Sequence, residues 1–179
     1  VLGSFRDFHL EPGNDVLIFG GGPVGLSFVK LGRLFGLGWI GLVDSHEEKR
    51  RAATALGADA VFERDDPAIS GLIGERNGVK LDAVIDAVGK PELIQSGLPL
   101  LKRGGAMCVY GFYAGLESFA VPNSLADFNY NLFVHQWPTR LYEKESQPAL
   151  CEWIRGGKLS GKEFVTHRFG IHQIEEALG

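Results

Sequence analysis

At 179 residues the chain has the length of one domain, and its 45% hydrophobic and 22% charged residues describe a polypeptide able to bury a core in water. A formal charge of −4, a pI near 5.7 and interspersed charges exclude a basic surface that could follow a nucleic-acid backbone. Cys108 and Cys151 stand far apart, outside any C-x-x-C pair, and read as free thiols; with no signal-like start and no apolar run of membrane length, the expectation is a cytoplasmic protein that engages no membrane.

Along the chain, short apolar runs alternate with helical patterns. Val16–Phe19 is rich in strand formers and closed by glycines. In Pro23–Phe35 the apolar positions Val24, Phe28, Leu31, Leu34 and Phe35 recur at helical spacing. Trp39–Val43 reads as a second strand. Ser45 to Glu48 fits the S-x-x-E capping box, so a helix is expected from near His46 to Gly57. Ala60–Phe62 is a third strand, and Asp66-Pro67 an N-cap with a first-turn proline. Asn77-Gly78 turns the chain into a strand over Leu81–Val88. Pro91–Leu101 is helical, Arg103-Gly104-Gly105 a turn, and Ala106–Tyr110 another strand. Strands apolar on both faces, alternating with helices, imply a parallel sheet covered on both sides: a doubly wound, three-layer α/β domain of the Rossmann type.

Beyond Gly111 the rhythm loosens. Leu116–Val121 reads as an extended edge segment that could pair across a two-fold axis in a homodimer or tetramer, and Tyr130–His135 as a strand. Ser146 and Pro148 read as the cap and first turn of a helix through Arg155, ended by Gly156-Gly157. Phe164–Phe169 and Ile171–Leu178 read as a last strand and helix. No internal repeat, low-complexity stretch or linker interrupts the chain.

The chemistry-bearing motif lies after the first strand. Gly20, Gly22 and Gly25 form G-x-G-x-x-G. Gly20 allows the tight turn, Gly22 the close approach of a pyrophosphate, and Gly25 the packing of helix on sheet. Pro23 suits a first helical turn, and the helix N-terminus offers unpaired N–H groups to phosphate. Asp44 closes the second strand 19 residues beyond Gly25, where a carboxylate accepts both ribose hydroxyls and repels a 2′-phosphate. The expected cofactor is therefore NAD rather than NADP. Lys49 and Arg50 follow on the next helix, either as cations near the ribose or as a solvated face.

Asp15–Gly25, Asp44 with Lys49, and Leu56-Gly57-Ala58-Asp59 together resemble the medium-chain dehydrogenase/reductase family, the zinc-type sorbitol and alcohol dehydrogenases above all. So do Asp82–Gly89, Leu100–Gly105, Tyr110-Gly111-Phe112 and the late Val165–Phe169 and Ile174–Leu178. The resemblance implies that Gly22, Pro23 and Val24 face the pyrophosphate, and that Asp44 and Lys49 hold the adenosine ribose. It places Val88 and Gly89 along the adenosine-to-ribose stretch, backbone at Tyr110, Gly111 and Phe112 by the nicotinamide carboxamide, and Phe133 or a neighbour near the nicotinamide. The family carries its zinc ligands and proton relay on a preceding domain, so residues 1–179 are expected to be an NAD-binding fragment with no catalytic residue and no metal site. The scattered His9, His46, His135, His167 and His172 offer no convergent site. The implied parent is an oxidoreductase acting on a secondary alcohol or polyol; a non-catalytic NAD-responsive module or an S-adenosylmethionine-dependent methyltransferase are the alternatives.

Overall fold

The computed structural model describes residues 1–69, 71, 80–115, 118–121, 125, 129–137, 139–165 and 167–178. Six strands form one sheet: β1 (Asp15–Phe19), β2 (Trp39–Val43), β3 (Ala60–Phe62), β4 (Leu81–Asp86), β5 (Leu101–Val109) and β6 (Asn131–Val134). Their order is β3-β2-β1-β4-β5-β6, and every pairing is parallel. This is the doubly wound arrangement, with the strand order reversing between β1 and β4.

The helices are α1 (Leu2–Asp7), α2 (Pro23–Phe35), α3 (Glu47–Leu56), α4 (Glu92–Gly97, prolonged by a 3-10 turn at Leu98–Leu100), α5 (Arg140–Arg155) and α6 (Ile174–Leu178). Because side chains alternate along a strand, β1 feeds both faces. Val16 and Ile18 join Phe5, Phe8, Phe28, Ile40 and Ile85 on one side. Leu17 and Phe19 join Val84, Ile94, Leu98 and Met107 on the other. On the first side the aromatic rings interlock, with Phe5–Phe28 centroids 5.7 Å apart and Phe28–Tyr110 centroids 5.3 Å apart. The sheet is thus fixed from both sides directly beneath the β1–α2 turn.

Several elements differ from the sequence reading, each for a local reason. The S-x-x-E box does not cap α3: Ser45 Oγ lies against His46 Nδ1, and His46 takes the N-cap position with its N–H donated to Asp44 Oδ1. Gly57 does close that helix, in the left-handed conformation (φ 108°). β4 ends at Asp86 rather than Val88, because the chain turns on the Asp86 carboxylate. Leu101 belongs to β5, not to the preceding helix, and Arg103-Gly104-Gly105 is no separating turn but an irregularity within β5. Leu81 faces Leu101 while Ala83 faces Ala106. Gly104 bulges out at φ 78°, its N–H given to Asn129 O and its carbonyl accepting from Asn131 Nδ2.

Toward the C-terminus, α5 begins at Arg140, so Ser146 and Pro148 lie inside it instead of starting it. The true start is set from afar: Asp7 in α1 accepts the Thr139 N–H and hydroxyl. Among the described residues, 164–165 and 167–169 are not a strand, and neither are 118–121. Leu116, Glu117 and the Asn77-Gly78 turn lie outside the described residues. The helix at Ile171–Leu178 is present as a 3-10 turn leading into α6. Among the described residues no helix is long and apolar enough to cross a membrane.

Candidate functional site

The C-terminal ends of β1, β2 and β4 meet at a cleft of about 990 Å³. Its wall includes Gly20, Asp44, Lys49 and Val88, four residues separated in sequence and gathered by the strand order.

The glycine loop is built around near-contacts. Gly20 is left-handed at φ 101°, and a Cβ there would fall 2.6 Å from Val88 Cγ2. A Cβ on Gly25 would fall 1.7 Å from Gly20 O, so the first turn of α2 lies directly on the loop. Gly22 is the opposite case. It is the N-cap of α2, in extended conformation, and a Cβ there would meet nothing within 4 Å. The empty space in front of Gly22, facing the unpaired N–H groups of a 13-residue helix with Pro23 and Val24 in its first turn, suits an anion of phosphate size.

Asp44 closes the other side of this loop. Its Oδ2 accepts the Gly21 N–H at 2.7 Å and has Lys49 Nζ at 3.9 Å; its Oδ1 accepts the His46 N–H at 2.8 Å and lies 3.0 Å from His46 Nδ1. Burial alone would raise the pKa of this carboxyl. The N–H groups of His46 and Gly21, the His46 ring and the Lys49 charge outweigh burial and hold it below the usual carboxylate range. The site therefore presents a fixed anion, held by backbone on both sides, at the edge of the cleft. Arg50 does not point to the same place: its guanidinium donates to the Asp44 backbone carbonyl at 2.7 Å, a structural tie.

Val88 and Gly89 occupy the loop after β4. Val88 is 44% exposed and lines the cleft. Gly89, at φ 93°, sits so close to the next loop that a Cβ would be 2.5 Å from Phe112 O; a Cβ on Gly111 would be 2.0 Å from Gly89 N. The two loops therefore pack through their glycine backbones. Tyr110, Gly111 and Phe112 lie at the end of β5, beyond the cleft. The Tyr110 and Gly111 N–H groups are given to Asp86 O, while Phe112 is 67% exposed. Phe133 is placed elsewhere: its ring packs on His9, 5.1 Å away.

Sequence reasoning missed Asp86. This fully buried carboxylate accepts the N–H groups of Val88, Gly89 and Lys90 and the Tyr113 hydroxyl, the last at 2.8 Å. The D-x-x-G at positions 86 to 89 is a readable turn signal; the Tyr113 partner, 27 residues on, has none. Burial, reinforced by the Asp86 charge, pushes the Tyr113 phenol up, so it remains a donor. His46, as a ligand of Asp44, was likewise read only as a helix start. Among the described residues no group of three or more His, Cys, Asp or Glu side chains converges as a metal site.

Comparison with known proteins agrees with this fold. Residues 23–149 match the family model described as zinc-binding dehydrogenase. A sorbitol dehydrogenase of Arabidopsis thaliana is 27% identical, the match covering 95% of this chain and 46% of that protein. An L-idonate 5-dehydrogenase of Vitis vinifera is 30% identical over 96% of this chain and 47% of its own length. A zinc-dependent alcohol dehydrogenase 2 from Streptococcus pneumonia superposes with a TM-score of 0.81 at 25% identity, covering 98% of this chain and 51% of that one. The chain spans about half the length of the relatives it matches.

Proposed function

Because the chain belongs to the zinc-binding dehydrogenase family, we propose that it is the NAD-binding domain of an oxidoreductase acting on a secondary alcohol or polyol. The observation that carries this reading is the pairing of Gly22, open in front of a helix N-terminus, with the anionic Asp44 fixed beside it. The residues fit the dinucleotide. Gly22, Pro23 and Val24 would receive its pyrophosphate. Asp44 and Lys49 would hold the adenosine ribose, Val88 and Gly89 would flank the path, and backbone at Tyr110 to Phe112 would meet the carboxamide. When bound, the nicotinamide supplies the hydride acceptor or donor; this chain's own residues bind and orient it. Asp44 keeps a lone-pair direction on Oδ2 for a hydroxyl, and its charge disfavours a 2′-phosphate.

The relatives' printed names, sorbitol and L-idonate dehydrogenases, support a polyol-like substrate. In the same proposal zinc is held by residues outside this chain, the protein works in the cytoplasm, and residues 116–121 contribute to a homo-oligomer. The free thiols Cys108 and Cys151 suit a reducing compartment.

Calorimetric titration tests the cofactor. NAD should bind with heat, and NADP and S-adenosylmethionine should bind at least 10-fold more weakly. Asp44→Ala removes a hydrogen bond to an ionised group, about 1.5–3 kcal/mol, and should weaken NAD by one to two decades. Asp44→Arg should reverse the order of NAD and NADP. Since the Asp44 pKa is depressed, its carboxylate stays ionised as the pH falls from 7 to 5, so its contribution to NAD affinity should be flat there. Binding indifferent to both substitutions would remove Asp44 from the site. A non-catalytic module would bind alike but show no polyol turnover in the intact protein.

A further inference from the structure

The cleft has two walls that come from distant parts of the sheet. One is the turn after β3, residues Arg64 to Pro67 with Ile69; the other is α4, with Glu92, Leu93 and Ser96. In the sheet β3 and β4 are separated by β2 and β1, three inter-strand spacings or about 14 Å. At the mouth of the cleft this gap is bridged: Arg64 Nη2 lies 4.0 Å from Glu92 Oε1.

The two side chains are carried by turns that hydrogen bonds hold. Asp65, immediately after Arg64, is left-handed at φ 69°, a conformation few residues other than glycine adopt, and Asp66 caps the next turn by accepting the Ala68 N–H at 2.8 Å. On the opposite wall, the approach to Glu92 is fixed by the Gly89 and Lys90 N–H groups bound to buried Asp86. The side chains themselves are half exposed, 50% for Arg64 and 55% for Glu92. A pair of that exposure is worth only a few-fold in an equilibrium constant, so it parts and re-forms readily. A planar guanidinium reaching across the opening also offers a face for a heteroaromatic base to lie against.

We propose that Arg64 and Glu92 form a side-chain latch over the adenine end of the cleft, which parts to admit the base and closes over it to slow cofactor release. The inference rests on the reading that the adenosine half of NAD occupies this cleft. It assigns a positioning role to two residues that touch neither the phosphate loop nor the ribose carboxylate.

Stopped-flow release of NAD and of AMP from the intact chain tests it, using Arg64→Glu, Glu92→Arg and the charge-swapped double variant. Each single reversal sets like charges against each other and should speed release of both ligands by about 2- to 5-fold. The swap re-forms the pair and should bring release back to within about 1.5-fold of wild type, on the same scale of effect. High salt should speed release from the wild type and from the swap, and slow it from either single variant by screening the repulsion. Unchanged release from the singles, or a double variant whose effects multiply, overturns the latch. If NAD binds the wild type and is lost in Asp44→Ala while the singles release it at the wild-type rate, the latch fails and the cofactor reading stands. If NAD does not bind the wild type, both fail.

Discussion

Asp86 is enclosed by protein on every side, yet each of its oxygens meets two donors. Oδ1 takes the Val88 and Gly89 N–H groups, and Oδ2 those of Lys90 and the Tyr113 hydroxyl. A buried carboxylate is tolerable only when so surrounded, and the charge-assisted bonds then fix the loop that carries it. Through that loop, Asp86 positions Val88 at the cleft and Gly89 against Phe112. Removing the carboxylate strands four donors; removing one donor leaves an anion short of a partner. Asp86→Ala should therefore cost about 3–5 kcal/mol and Tyr113→Phe about 2 kcal/mol, read as lowered urea midpoints at unchanged m. A Tyr113→Phe protein as stable as the wild type would show that the hydroxyl merely fills space. At this scale the sequence is only half legible. Asp44 was readable because its position relative to a glycine motif is diagnostic. Of the partners that hold it, His46 is a local Asx turn two residues on, whereas Gly21 comes from the turn after β1, 23 residues away, which no local pattern encodes.

At the scale of elements, the β1–α2 unit separates packing from binding within six residues. Gly25 has no room for a Cβ, which would overlap Gly20 O, whereas Gly22 has nothing within 4 Å. Gly25→Ala should thus destabilise the fold by more than about 3 kcal/mol or abolish soluble expression, since backbone must move to accept it. Gly22→Ala loses a few tenths to about 1 kcal/mol as an N-cap, so its melting temperature should fall by only a few degrees. Its NAD affinity should nonetheless drop at least 10-fold, because the added methyl stands where phosphate would approach. Equal damage to stability and binding in both variants would deny this division. The elements legible in the sequence share a cause. α2, β2 and β3 were delimited to the residue because their apolar runs are bounded by glycines or charged residues: Gly22 and Gly36, Gly38 and Asp44, Asp59 and Glu63. The start of α5 was misplaced by seven residues, Ser146 for Thr139 as N-cap, because Pro148 reads locally as a first turn, while the cap that starts the helix comes from Asp7, 132 residues away. In β5, Gly104-Gly105 reads as a turn until β4 and β6 pair on either side of it.

Over the whole molecule, burial falls away along the chain. The central strands are almost fully enclosed, but none of the 16 residues of α5 is buried, and Trp137 and Ile171 are 83% and 81% exposed. What holds α5 is α1, and α1 is held by the core: Phe5 and Phe8 are sealed against Phe28. From that base Arg6 reaches over the Tyr142 ring and pairs with Glu145, while Asp7, its carboxylate almost fully buried, binds Thr139 at the head of α5. Leu150 and Trp153 add partial packing. Opening free energy tracks buried apolar contact, so α5 should open without the sheet. In the 179-residue chain, amides of β1, β4 and β5 should exchange slowest, and those of α5 at least 30-fold faster, a gap of about 2 kcal/mol. Asp7→Ala removes one of the links between α1 and α5, leaving those of Arg6, and exposes the Thr139 N–H and hydroxyl to solvent. It should speed α5 exchange by a further 10-fold or more, corresponding to about 1.5–3 kcal/mol for a charge-assisted bond, and leave β1 and β4 unchanged. Because α1 stays pinned by Phe5 and Phe8, its own amides should respond less than those of α5. Mass-spectrometric exchange that slows or speeds uniformly across sheet, α1 and α5 would mean that the chain opens as one unit, and would contradict the hierarchy read from burial.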